Sequence, residues 1–261
     1  MKNLPITFLL IVIVSIFHAC SSSHSNKKKA GISIRQTNDE RPSNLPSNEP
    51  SANFKTRPSS VLLTGNDDHR LVTVYKVNYD KKHKKTFIGS NRFHRTYPDS
   101  YYGNQERHHH FMPGIEAIYG YNMMNVAHYN FKTKQRKNLF EAPVLINTLY
   151  YPSLLQDSLN NEPVQRDYYM VSVYDEDTNQ DSLINRNDLR RFYHFDIEGN
   201  DKKALIPTNY SVLSSEYDAV NDLMFVFARL DENKNGRRED NEPVHVFYFD
   251  LKSPKIGERL Y

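Results

Sequence analysis

Two twelve-residue stretches concentrate oxygen donors at matching spacings: "DTNQDSLINRND" at 177–188 and "DENKNGRREDNE" at 231–242. The first offers Asp177, Asn179, Asp181, the Leu183 carbonyl, Asn185 and Asp188. The second offers Asp231, Asn233, Asn235, the Arg237 carbonyl, Glu239 and Glu242. Oxygens at positions 1, 3, 5, 7, 9 and 12, with no sulfur or imidazole among them, suit a hard cation that takes six to eight oxygen ligands. Calcium is the cofactor this predicts. Without an ion the carboxylates of each stretch repel one another; with one they close the loop. Asn and Asp are also favoured in ordinary turns, so a metal-free hairpin loop is the competing reading.

The second stretch satisfies the pattern D-x-[DN]-x-[DN]-G-x5-E, with Gly236 at the sixth position. It resembles an EF-hand calcium loop. The first stretch departs from that pattern, with Ser182 in place of the glycine and Asp188 in place of the final Glu. Ile184 stands at the eighth position, where such loops pack an aliphatic residue, whereas the second stretch has Arg238 there. The residues on either side read as strand, so the likeness is to EF-hand-like or dockerin-like loops rather than to sensor EF-hands. It implies a structural ion, because strands do not reorient as EF-hand helices do.

The strands that must hold these loops repeat. "VYKVNY" (74–79), "HYNFKT" (128–133), "HFDIEG" (194–199) and "YFDLKS" (248–253) each alternate an aromatic and an apolar residue with polar ones. Alternation of period two marks a strand with one buried face. Their aromatics, Tyr75, Tyr129, Phe195 and Phe249, are spaced by 54, 66 and 54 residues. Further strand-like runs lie upstream and downstream of each. The expectation is an all-β, propeller-like domain over 59–261, with four repeats of about four antiparallel strands. The segments "SEYDAVNDLMFVFARLD" and "EPVHVFYFDLKSP" resemble blades of TolB-type propellers. An open β-sheet stack or a sandwich is the alternative architecture. In the first two repeats "GNDDH" (65–69) and "NMMN" (122–125) read as short hairpin turns; in the last two the acidic stretches take that place.

The N-terminus belongs to another class. Residues 1–19 carry Lys2 and an apolar run from Ile6 to Phe17, too short for a membrane span and typical of a signal peptide. Cys20, the single cysteine, follows Ala19 in a setting that resembles the lipobox of bacterial lipoproteins. The resemblance implies acylation of Cys20, anchoring to a membrane, and an outer-membrane lipoprotein on the periplasmic side. Residues 20–58 are rich in Ser, Asn, Pro and Lys and read as a disordered tether with a reach of roughly 35 Å. With one cysteine no internal disulfide can form, so something else must stiffen the domain. Residues 20–140 hold 20 Lys and Arg against 9 Asp and Glu, and residues 141–261 hold 13 against 22. The basic half could meet anionic lipid or glycan and the acidic half cations.

Other candidates carry less. His108, His109 and His110 could bind a transition metal, and Tyr97, Tyr101 and Tyr102 could form a stacking surface for sugars; solvated loop and packing roles compete. His94 and His128 read as half-buried strand histidines. No nucleophile elbow, P-loop, dinucleotide fingerprint or HExxH motif is present. The main expectation is a lipid-anchored, calcium-stabilised binding or scaffold module of the envelope, with a protein or glycan ligand and not nucleic acid. The alternatives are a carbohydrate- or ester-acting hydrolase on the same fold, or a structural envelope protein contacting anionic lipid.

Overall fold

A computed structural model describes residues 32–33, 55–80, 82–88, 91–93 and 112–261. The signal peptide, Cys20, most of the tether, His94, Tyr97, Tyr101, Tyr102 and His108 to His110 lie outside the described residues.

The described residues are all-β, in antiparallel sheets, none of which closes. Strand β1 (Ile32–Ser33) falls inside the segment read as tether. The next strands are β2 (Thr56–Leu63), β3 (His69–Asp80), β4 (Lys85–Ile88), β5 (Asn91–Phe93), β6 (Ile115–Asn130) and β7 (Gln135–Asn138). After them come β8 (Leu145–Pro152), the small hairpin β9 (Asp157–Leu159) and β10 (Glu162–Val164), β11 (Tyr168–Tyr174), β12 (Leu183–Ile184), β13 (Arg191–Asp196) and β14 (Lys203–Ala204). The last are β15 (Tyr210–Asp218), β16 (Leu223–Leu230), β17 (Val244–Asp250) and β18 (Glu258–Arg259).

Hydrogen-bonded pairs resolve into three four-stranded meanders among the described residues: β2-β3-β6-β7, β8-β11-β13-β14 and β15-β16-β17-β18. The first two share one ten-stranded sheet because the N-terminal half of β6 pairs with β8. This corrects the expectation of four repeats. "NMMN" at 122–125 is not a hairpin turn; β6 runs through it without reversing. Met123, Met124 and Asn125 are buried there, so the apolar pull of the core overrides the turn preference of Asn. What remains of a turn is a bulge, with Asn122 at φ 60° and the pairing shifted between Tyr119 and Met123. Gly120 is needed at that corner, since a Cβ would lie 2.6 Å from Met123. The segments at 128–133, 194–199 and 248–253 therefore enter the third strand of each meander, and 74–79 belongs to a second strand.

The second meander is covered on both faces. Tyr169, Val171, Val173, Tyr193 and Phe195 pack in one core with Leu71, Tyr75, Ile118, Met123 and Val126. The opposite face, with Tyr150, Tyr168, Met170 and Phe192, packs in a second core with Met224, Val226, Ala228, Phe247 and Phe249. All seven residues of β11 are accordingly buried. At the outer edge β2 is irregular: it carries Pro58, its pairing shifts between Pro58 and Val61, and Val61 and Leu63 stay exposed.

One buried ion pair ties the three meanders. Arg166, before β11, donates from Nη2 to Asp222 Oδ1 and Oδ2 at 2.8 and 3.0 Å. Its Nε reaches the Pro113 carbonyl ahead of β6 at 3.2 Å, and its Nη1 the Leu251 carbonyl after β17 at 2.8 Å. Both side chains are 2% exposed. Removing one partner of such a pair strands a charge in the interior. Arg166→Ala is expected to cost about 3–5 kcal/mol in denaturant unfolding. Arg166→Met combined with Asp222→Asn should recover part of that loss, because the φ of 57° at Asp222 suits Asn.

Two histidines set a pH limit on the fold. His128, buried in β6, stacks on His69 at 4.9 Å and lies 3.0 Å from the Ile197 carbonyl; His194 stacks on Tyr168 at 5.5 Å. Burial holds both imidazoles below the usual histidine pKa. The unfolded chain therefore takes up protons before the folded one does. Stability is fully present above about pH 6.5 and falls as the pH drops through it. Thermal melts from neutral to mildly acid pH should show this fall, and His128→Gln should flatten it.

Candidate metal centre

Each acidic stretch joins the second and third strands of its meander, 177–188 between β11 and β13 and 231–242 between β16 and β17. The two acidic stretches therefore occupy equivalent positions, whereas 65–69 and 122–125, read as their counterparts, do not. In the first meander the same position carries the excursion with β4 and β5, and the turn at 65–69 closes the hairpin before it.

The two loops share one backbone plan. In both, the residues at the fourth and sixth positions have positive φ: Gln180 and Ser182 at 57° and 67°, Lys234 and Gly236 at 58° and 68°. The first-position carboxylate accepts the N–H groups of the fifth and sixth residues. Asp177 takes Asp181 N at 3.0 Å and Ser182 N at 2.7 Å. Asp231 takes Asn235 N at 3.1 Å and Gly236 N at 3.0 Å. The third-position amide oxygens, of Asn179 and Asn233, accept from the fifth N–H. The fifth-position oxygens, of Asp181 and Asn235, accept from the seventh, Leu183 and Arg237.

The loops close in the same way. The twelfth carboxylate accepts from the ninth N–H, Asp188 from Asn185 at 2.7 Å and Glu242 from Glu239 at 3.1 Å. Its second oxygen reaches back to the loop entrance, to Asn179 N at 3.3 Å in the first and Glu232 N at 3.2 Å in the second. In the second loop Glu239 also receives both amides, Asn233 Nδ2 at 3.0 Å and Asn235 Nδ2 at 2.9 Å. The candidate side chains therefore turn inward around their own loop rather than splaying outward.

Charge balance separates these carboxylates from their neighbours. Asp175, Glu176 and Asp240 pair with Lys202, Arg191 and Arg229. Among the described residues no Lys or Arg pairs with Asp177, Asp188, Asp231 or Glu242, which rely on main-chain N–H groups. Asp188 is fully buried, and burial, reinforced by Asp177 and Asp181, holds its carboxyl above the usual carboxylate range. Among the described residues no three His, Cys, Asp or Glu side chains are gathered into a metal cluster. The donor sets depend equally on amide and carbonyl oxygens, and that all-oxygen chemistry fits calcium.

Packing differs between the loops as their eighth residues do. Ile184 is buried with Ile32, Met124 and Tyr174, and β12 pairs with β1 through Ile32–Ile184 and Ser33–Leu183. Arg238 is exposed. The loops also touch each other, through a residue that sequence reading missed. Thr178 Oγ1 donates to the Gly236 carbonyl at 2.6 Å and accepts Leu189 N–H at 2.9 Å. Nothing in the spacing marks Thr178, because its partner is 58 residues away.

No protein-family model matches the chain, and no curated protein matches it. Among solved structures it is similar to the tricorn protease, at 11% identity and a TM-score of 0.27. That likeness covers 75% of this chain and 18% of the other, so the chain spans under a fifth of that protein's length.

Contact between the loops makes Gly236 the tightest point. A Cβ there would sit 1.8 Å from the Thr178 carbonyl oxygen, at a φ of 68° that side chains rarely adopt. Gly236→Ala should destabilise by at least about 2 kcal/mol in denaturant unfolding, more than the usual surface substitution. Gly257→Ala, where the nearest atom is a side-chain carbon at 3.2 Å, serves as the milder comparison.

Proposed function

We propose that this chain is an exported, lipid-anchored binding or scaffold module of the cell envelope whose strand assembly is fixed by calcium in two EF-hand-like loops. One observation carries the metal reading: two loops 54 residues apart repeat the same hydrogen-bond plan, in which Asp177, Asp188, Asp231 and Glu242 meet main-chain N–H groups and, among the described residues, no Lys or Arg. A bound divalent ion would favour the ionised form of Asp188, whose pKa burial raises with a smaller contribution from Asp177 and Asp181, and would tie both ends of each hairpin. The first loop would draw on Asp177, Asn179, Asp181, Leu183, Asn185 and Asp188. The second would draw on Asp231, Asn233, Asn235, Arg237, Glu239 and Glu242.

A propeller-like arrangement is the finer reading of the architecture. Face-to-face packing of four-stranded antiparallel meanders, joined in sequence, supports it, as does the use of one connection for both insertions. The export and anchoring part of the proposal rests on the leader and Cys20.

Calcium should act as a ligand that binds the folded state alone. Saturation to a hundredfold over the dissociation constant contributes about 2.7 kcal/mol per site. For a domain of this size that corresponds to a rise of about 5–10 °C in melting temperature over a chelator control. Asp177→Asn with Asp231→Asn should remove most of the rise. Equal melting temperatures in calcium, magnesium and chelator would sink the metal reading.

A further inference from the structure

Apart from the loops, the second and third meanders enclose a cleft of about 270 Å³. Thr148, Tyr150, Ser172 and Phe192 line it from β8, β11 and β13, and residues 212–215 of β15 form the facing wall. That wall is bulged, with the pairing to β16 shifted between Val212 and Ser214. Arg190 reaches across to the bulge. Its Nε donates to the Val212 carbonyl at 2.7 Å, its Nη2 donates to the Leu213 carbonyl, and its main-chain N–H donates to Ser211 Oγ.

Two features point to a ligand. First, the guanidinium is anchored by neutral carbonyls, its Nη1 has no partner among the described residues, and no carboxylate lines the cleft. Second, Ser172 lines the same space from a residue only 6% exposed, and its buried hydroxyl has no hydrogen-bond partner among the described residues. Buried polar groups are ordinarily satisfied, and an exception at a cavity calls for a missing partner.

We propose that this cleft binds a small carboxylated sugar, the size of one hexuronate, with the carboxylate on Arg190 and ring hydroxyls on Ser172 and its neighbours. The chemistry selects this class. Arg190 is the one cation among the residues that line the cleft, with Arg186 and Arg238 near enough to act on it, and a planar carboxylate fits the fork of a guanidinium. Thr148 and Ser215 add neutral hydroxyls that suit an alcohol ligand. Tyr150 and Phe192 lie with ring centroids 5.8 Å apart and supply an apolar face for the C–H side of a sugar ring. The volume lies just under the range of about 300–1,000 Å³ that holds drug-sized ligands, which limits the occupant to one ring.

The inference rests on the reading of the domain as a binding module, and not on the calcium loops. Calorimetric titration of the full chain with D-glucuronate, D-glucose and inorganic phosphate, in calcium and in chelator, tests it. Glucuronate should bind saturably, and glucose, which lacks the charge, about tenfold or more weakly. Arg190→Gln should cut glucuronate affinity by about tenfold or more. Because Arg190 also pins β15, Ser172→Ala is measured beside it: the melting temperature should hold while glucuronate affinity falls severalfold. Silence with glucuronate, equal binding of glucose, preference for phosphate, or an affinity that neither substitution moves would each overturn the proposal. Glucuronate binding by a chain whose melt ignores calcium would uphold it and sink the metal reading alone.

Discussion

A sheet buried on both faces leaves its strands no free side, and the second meander is held under that constraint. Tyr169, Val171 and Val173 of β11 fit one apolar core and Tyr168 and Met170 the other, so a slip of one residue would exchange the cores rather than merely expose a face. The third meander needs only one apolar face, and β16 shows the simple alternation that follows, from Met224 through Val226 to Ala228. The Arg166–Asp222 pair lies where chain segments of all three meanders come within hydrogen-bonding reach. A guanidinium, with five donors in one plane, can meet a carboxylate and two carbonyls together.

The acidic loops answer a different demand. They lie outside the two large cores, and apart from Ile184 they have little apolar surface to bury. Their order comes from Asn and Asp oxygens that satisfy main-chain N–H groups within each loop. This polar scaffold places carboxylates close together, and Asp188, buried among them, has a raised pKa chiefly because it is buried. The strands on either side fix the loop ends, so the entropy of closing each loop is largely met by the sheet.

Much of this was legible in the sequence, and the failures have physical causes. Alternation marked β13 and β17, and the two acidic stretches, 177–188 and 231–242, fall between strands as their flanks implied. The spacing of aromatic segments miscounted the repeats because β3 and β6 carry the same alternation in successive strands of one meander. Asn122 and Asn125 read as turn residues, yet Met123 and Met124 between them are buried, and burial decided the path. "YYMVSVY" shows no polar alternation because both its faces are covered, which is the signature of an internal strand rather than of an edge. Thr178, Arg166 and Arg190 act through main-chain carbonyls 58, 85 and 22 residues away, which leave no trace in spacing. Within 20–58, read as tether, the described residues are strand at two places: Ile32 buries beside Ile184, and Thr56 to Pro58 open β2.

The irregular margin at β2 has a consequence for the protein in a crowded compartment. A long sheet that does not close offers a row of free N–H and C=O groups to any other extended chain, the template from which fibrils and misassembled dimers grow. Pro58 removes one donor from that row, and the shift between Pro58 and Val61 twists the margin out of line. Among the described residues, a newcomer would meet at that margin a kinked strand rather than a straight template.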